Sequence, residues 1–489
     1  MNEHLDELAP AALWRHFKTF CNTPRPSWHE EPLIQIIEQW ADAQNLGHER
    51  DASNNLLIRK PATPGYENTP GIVLQGHLDM VAEAEPGLDH DFQRDPITTY
   101  TDDGWLKAHG TTLGADNGIG AAAALAILEN DTLTHGPLEV LLTIAEEVSL
   151  VGASQLAENW LNGAYLLNLD TEQAGDVTIG CAGGAVVAAD TELPRAPLAD
   201  DAVLLNVAVD GLTGGHSGMD IHSGRANANQ LLGRALHAIQ PYGPRLLAYT
   251  GGRMDNAITR EAHATIAVAP ATADDVETTI QALHATLQSE LASVDDGITL
   301  STERKSPNDS PSDALTDDAS KRLIDVLAAL PYGVERMSNA APGVVETSNN
   351  IGVAQLVDGR FTAQLLVRSL VDSARDALAN RIHAIFSLGA IDSAVKSGYP
   401  GWTPDPDADL LSQFEHVHAS ITGQPPTREV IHAGLECGLI GAKYPNLQMI
   451  SFGPTIRGAH SPSERVETAS VASFQEILEG TIENLATTG

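Results

Sequence analysis

IVLQGHLD, residues 72–79, runs from consecutive apolar residues into a glycine, a histidine and an aspartate. A short apolar run bounded by turn residues marks a strand buried on both faces, and here the side chains capable of chemistry follow directly behind it. The same order returns downstream, where residues 140–144 lead into Glu146 and Glu147 and residues 165–169 lead into Asp170. The Ala-rich residues 117–129 and the amphipathic residues 33–43 predict helices. Strands alternating with helices predict an α/β sheet with helices on its faces. In open sheets of this kind ligands gather at the carboxyl ends of strands. From residue 397 the same texture resumes, with a helix over 410–422, a strand over 448–452 and a Gly/Pro/Ser loop carrying His460.

The region between reads differently. Alternating strands at 204–209, 264–269 and 361–367 interleave with helices at 227–239, 274–289 and 317–330, and metal-type residues are missing from the strand ends. This predicts an α+β domain of about 200 residues, an ordinary domain size. It would occupy residues 186–396, fall into two halves at the polar segment 301–312, and interrupt a discontinuous domain of residues 1–185 and 397–489.

Composition narrows the function classes. Acidic side chains number 65 against 28 basic ones, for a net charge of −37. Such a surface repels nucleic acid and anionic membrane, because each phosphate contact needs a lysine or arginine; neither is expected as a partner. Lysine accounts for 7 of the basic residues and arginine for 21, a bias that suggests a salt-rich host. Cys21, Cys181 and Cys437 lie far apart without CxxC spacing, so neither a disulfide framework nor a thiolate zinc site is expected. No signal-like N-terminus or long apolar span is seen, and a reducing cytoplasm fits.

His77, Asp79, Asp116, Glu146, Glu147, Asp170 and His460 form a borderline nitrogen and oxygen donor set, suited to zinc, cobalt or manganese. Taken singly, several of these have plainer alternatives: His77 as a structural histidine, Glu146-Glu147 as a solvated pair, and Asp116 as a cap of the Ala-rich helix. Their joint occurrence at strand ends favours the metal. Residues i and i+2 of a strand share a face, so Asp79 can hydrogen-bond the far imidazole nitrogen of His77. Adjacent Glu146 and Glu147 repel unless a cation compensates, and one can bind metal while its neighbour holds a proton. LGADNGIG lacks the strand–GxGxxG–helix setting of a dinucleotide site. Cys437 reads as a small buried thiol, and Glu436 beside it as a polar residue without an evident role.

From TPRPSWHE through QGHLDMV, TLGADNGIG, TIAEEVSLVGA, LNLDTE, GCAGG, GGHSGMDIHSGRANAN, VRSL and HAGLECG to SFGPTIRGAHSPSE, the chain resembles the co-catalytic zinc peptidases that include carboxypeptidase G, aminoacylase and the carnosinases. The resemblance implies a metal-binding α/β catalytic domain with an inserted α+β lid, and two divalent ions, zinc foremost with cobalt or manganese as alternatives. It implies His77 and Asp170 on one ion, Glu147 and His460 on the other, and Asp116 bridging them. Asp79 would orient His77, Glu146 would be the general base, and the peptide after Asp116 would be cis. In the inserted domain, His216 would hold the scissile carbonyl, while Asn256 and Arg368 would grip the substrate carboxylate. Thr259 stands where the family usually has proline. The implied activity is hydrolysis of dipeptides with a free C-terminus, Xaa-His among them, with Glu146 taking the proton of a metal-bridging water. An N-acyl amino acid amidohydrolase and a non-catalytic metal- or peptide-binding protein are the alternatives. The expected partner is a small peptide. A homodimer is compatible with the reading, and the sequence leaves open whether His216 serves its own site or a partner's.

Overall fold

The computed structural model describes residues 1–305, 313–339, 341–396 and 398–488; residues 306–312 of the polar segment lie outside the described residues. The chain forms two compact units, Met1–Cys181 with Trp402–Val430 and Leu435–Gly489, and Ala182–Gly401 with Ile431–Gly434.

The first unit is an α/β fold built on an eight-stranded mixed sheet. At its centre Ile72–His77 runs parallel to Leu138–Thr143 on one side and to Tyr165–Asn168 on the other, and Gln448–Ser451 runs parallel to Tyr165–Asn168. Every residue of Ile72–His77 and Leu138–Thr143 is buried. Strands covered on both faces need apolar side chains on both, which is why they read as continuous runs rather than alternations. Four parallel strands end on the same side of the sheet; His77 is the last residue of one, and the segments that follow the other three carry the Glu146-Glu147 pair, Asp170 and His460.

The helix Ala115–Glu129 packs against Ile72–His77 on one side and against the helix Ala11–Asn22 on the other. It is apolar around its whole circumference, as a helix enclosed by other elements must be, and its alanines and glycines permit close approach. A Cβ on Gly120 would stand 2.3 Å from the Leu169 carbonyl oxygen. Its first residues are irregular: Asp116 and Asn117 have non-helical dihedrals and the peptide between them is cis.

The second unit centres on a nine-stranded sheet in which every described pairing is antiparallel. Alternate residues such as Leu205, Val207 and Val209 face a core shared with the helices Ala228–Ala238, Ala273–Glu290, Asp317–Ala329 and Asp372–Leu388. The parts on either side of the polar segment join through Arg245–Gly251 and Val345–Val357, paired at Tyr249 and Leu356, so one sheet runs through both. Among the described residues no helix is long and apolar enough to cross a membrane.

Candidate metal centre

His77 closes its strand fully buried, with Nε2 3.1 Å from Asp116 Oδ1 and 3.5 Å from Asp170 Oδ1. Its Nδ1 faces Asp79, 3.2 Å from the backbone carbonyl oxygen and 3.4 Å from Oδ1. His460, exposed and in the left-handed region at φ 62°, reaches the opposite carboxylate oxygen. Its Nε2 lies 3.1 Å from Asp116 Oδ2 and 3.0 Å from Glu147 Oε2. Asp116 therefore turns one oxygen to each imidazole, and its side chain caps no helix. Ligand-type atoms of His77, Asp116 and Asp170 lie within 4.8 Å of one another, as do those of Asp116, Glu147 and His460, and those of His77, Glu146 and Glu147.

Asp79 grips more than the imidazole. Its Oδ1 accepts from the Glu146 N–H (3.0 Å), and its Oδ2 from the Glu147 N–H (3.2 Å) and Ser27 Oγ (2.8 Å). Just upstream, Glu30 Oε1 accepts from the N–H of Ala145, itself left-handed at φ 46°. Two buried carboxylates thus pin the turn that presents the adjacent glutamates.

The electrostatics are those of a place with too much negative charge. Burial pushes the Glu146 carboxyl well above its usual range, with Asp170, Glu436 and Glu147 adding to the effect against His77. Burial likewise raises Asp170 to about 6, helped by Asp116 and Glu147. For His77 burial acts downward, but Asp170, Asp116 and Asp79 outweigh it and hold the imidazole well above 6.5. Hydrogen bonds to Asp116 and Glu147 push His460 up to about 11. Glu147 Oε1 is buried without a hydrogen-bond partner among the described residues, and the buried Asp170 Oδ1 has only the long 3.5 Å contact with His77. Free lone pairs, two imidazoles and crowded carboxylates fit a pair of divalent cations, whose charge would replace the retained protons.

The second unit gathers His216, Asn256 and Arg368 into one neighbourhood. Gly215–His216 pairs with Ala257–Ile258, Ser217 N–H donates to the Asn256 carbonyl (2.8 Å), and Arg368 donates to Ser217 Oγ (3.4 Å) and Tyr399 Oη (2.8 Å). Arg368 lies on an interior strand, 5% exposed, and among the described residues no carboxylate pairs with it. His216 Nδ1 accepts from the N–H groups of Gly218 (3.2 Å) and Met219 (3.1 Å). Burial and the Arg368 charge lower its pKa, so the neutral ring carries its proton on Nε2, free to donate. Sequence reading passed over His432 of HAGLECG. It lies 2.7 Å from Ser348 Oγ and is pushed down to about 3 by burial and then by Arg368. Thr259 has a local reason to replace proline: its Oγ1 lies 3.0 Å from the carbonyls of both Ile351 and Gly352, a tie proline cannot make. Contrary to the expectation for this region, Asp210, Glu261 and His263 also come together, at the sheet surface and with a 3.2 Å pair between His263 and Asp210.

Residues 73–484 match the model of peptidase family M20/M25/M40. The chain belongs to this peptidase family. It is 42% identical over 476 residues, 97% of each chain, to the cytosol non-specific dipeptidase of Escherichia coli. The crystal structure of aminoacylhistidine dipeptidase from Vibrio alginolyticus matches at a TM-score of 0.92 and 42% identity, covering 99% of this chain and 98% of that one. Aminopeptidase PepT from Bacillus cereus shares the fold, with a TM-score of 0.60 at 16% identity over 98% and 100% of the two chains.

In this M20 family member, Glu436 has a visible setting. It is buried, and its Oε2 accepts from Gln75 Nε2 (2.6 Å) and Thr143 Oγ1 (2.8 Å), tying together the two central strands; burial pushes its carboxyl up to about 7. Cys437 is fully buried, and burial raises its thiol well above the ordinary value. The setting of Glu436 could not have been placed by spacing, since its partners lie hundreds of residues away, whereas Cys437 is the small buried thiol the sequence suggests.

Proposed function

We propose that this protein is a metal-dependent dipeptidase of the cytoplasm, acting on dipeptides with a free C-terminus, Xaa-His among them. The observation that carries the reading is the placement of His77 and His460, from opposite ends of the chain, on the two oxygens of Asp116. It supports Asp116 as a ligand shared by two cations, with His77 and Asp170 completing one site and Glu147 and His460 the other. When bound, such cations supply Lewis acidity and a water that ionises near neutral pH. Zinc suits the donor set, as do cobalt and manganese.

The remaining chemistry belongs to the chain. Glu146 takes the proton of the attacking water and returns it to the leaving amine; a buried carboxyl of raised proton affinity suits a group that must hold a proton between two steps. Asp79 keeps the His77 ring oriented and holds the backbone of both glutamates. The Nε2–H of His216 is suited to the developing charge on the scissile carbonyl oxygen. Arg368, buried with no carboxylate partner among the described residues, and Asn256 bind the free carboxylate of the substrate, which limits substrate length. The first unit is then the catalytic body and the second the lid. The dipeptidase activity and the cytosol named for the Escherichia coli relative support the same assignment.

A substrate panel tests it. A Xaa-His dipeptide should be cut, its C-terminal amide poorly and a decapeptide hardly at all, with activity lost on chelation and restored by zinc or cobalt. Comparable rates on the dipeptide and the decapeptide refute the carboxylate reading. Faster cleavage of N-acetyl-histidine moves the protein to the amidohydrolases.

A further inference from the structure

Asp116 carries the central carboxylate of the metal centre, yet its own stretch of chain does little to hold it. With Asp116 at ψ 112° and Asn117 at φ −102°, ψ 28°, the first turn departs from helical geometry, although the Gly118 N–H still reaches the Gly114 carbonyl (3.2 Å). As at any helix start, the leading amide groups have no helical partner. Four consecutive N–H groups converge instead on one side chain from the far end of the sequence. Glu464 Oε2 accepts from Leu113 (2.7 Å) and Gly114 (2.9 Å), and Oε1 from Ala115 (2.8 Å) and Asp116 (3.2 Å). Glu464 is 2% exposed. A carboxylate satisfied by four amide donors is in its strongest hydrogen-bonding state.

The other side of the same loop is held by a buried cation. Arg25, 1% exposed, donates from Nη2 to the Gly114 carbonyl (2.5 Å) and from Nη1 to those of Leu78 (2.8 Å) and Asp79 (3.0 Å). Room for the guanidinium depends on two glycines. A Cβ would stand 2.5 Å from Nη2 at Gly114 and 2.6 Å from it at Gly118, and Gly114 is also left-handed at φ +70°. Arg25 thus joins the Asp116 loop to the segment just after His77. Glu464 joins it to the turn that carries His460, and its own N–H stays in that turn by donating to the Ser461 carbonyl (3.0 Å).

We infer that Glu464 and Arg25 are positioning residues that set the place of Asp116 between His77 and His460, so that the affinity and geometry of the metal centre depend on two buried charges that are not themselves ligands. The inference rests on Asp116 as the shared ligand. Helix N-termini commonly attract anions; here the anion is a side chain of the protein, and what it holds is the ligand-bearing loop.

Glu464→Gln tests the clamp. In either orientation its amide turns an NH2 group toward two of the four N–H donors, so half the clamp is lost while the volume is kept. Cation affinity of the full-length protein, measured by competition with a chelating dye, should fall about 10–100-fold, the usual effect of removing a residue that supports a ligand. The visible spectrum of the cobalt-loaded variant should also change, because Asp116 shifts. Wild-type affinity with a wild-type cobalt spectrum overturns the inference even if the melting temperature drops, since lowered stability alone is the mark of a merely structural residue. Hydrogen exchange on the chelated wild-type protein decides the matter if the variant does not fold. Amides 113–116 should exchange as slowly as those of Ile72–His77, and exchange at the rate of exposed loops overturns the clamp. A wild-type protein that binds no pair of cations counts against the proposed function instead, and the exchange measurement still judges the clamp.

Discussion

Replacing the two adjacent glutamates one at a time separates base from ligand. Glu147 Oε2 lies 3.0 Å from His460 and its other oxygen is buried without a hydrogen-bond partner among the described residues, so Glu147→Ala removes a candidate donor and a charge. Metal content and activity should fall together. Glu146→Gln preserves shape and cannot take a proton. A general base contributes ~10²–10⁴ in rate, equivalent to about 2.7–5.4 kcal/mol of barrier, so turnover should drop by at least two orders of magnitude with metal content unchanged. Stability gives an independent reading. Burial, reinforced by Asp170, Glu436 and Glu147, makes a charged Glu146 costly, and a neutral amide removes that cost; the chelated variant should melt no lower than the chelated wild type. Elemental analysis, turnover of one dipeptide and thermal unfolding after chelation decide it. Loss of metal from Glu146→Gln, or retention of most of its activity, refutes the assignment of roles.

Salt should stabilise the protein. At a charge of −37 the surface repels itself, and screening shortens from ~10 Å at 0.1 M to ~3 Å at 1 M salt, so the melting temperature should rise with added KCl; a flat or falling curve counts against adaptation to a salt-rich host. His432 should make stability depend on pH. Its pKa is depressed from 6.5 to about 3 by burial and by Arg368, so its contribution is whole above 6.5 and is lost as pH falls toward 3, by about 2–3 kcal/mol at pH 4.5. His432→Asn should therefore lose less stability than the wild type between pH 7 and 4.5, and parallel pH curves would refute the argument.

The central strands were legible because parallel strands buried on both faces must be apolar throughout. IVLQ at 72–75 and VLLTI at 140–144 stand out before any partner is known; the observed strands are Ile72–His77, two residues longer at its end, and Leu138–Thr143, which starts two residues earlier and stops one short of the predicted end. The candidate donor residues stood out for a related reason: few side-chain types bind divalent cations, and here His77, the Glu146-Glu147 pair and Asp170 come at or just behind the ends of those strands. Asp116 also showed the limit of local reading, since an aspartate ahead of an Ala-rich helix looks equally like a cap; only the folded chain brings His77 and His460 to its two oxygens.

What sequence alone determined is therefore the α/β character of the first unit, the alternation of the second and the residue types of the centre, all of which follow from local periodicity and side-chain chemistry. Tertiary structure decided which oxygen meets which imidazole, the double grip of Asp79 on both glutamate amides, the convergence of four amides on Glu464, and the His432 neighbour of Arg368. Those are contacts between segments far apart in the chain. A hydrogen bond to a distant backbone amide demands a position in space but imposes no spacing on the sequence, so it leaves no periodic trace to read.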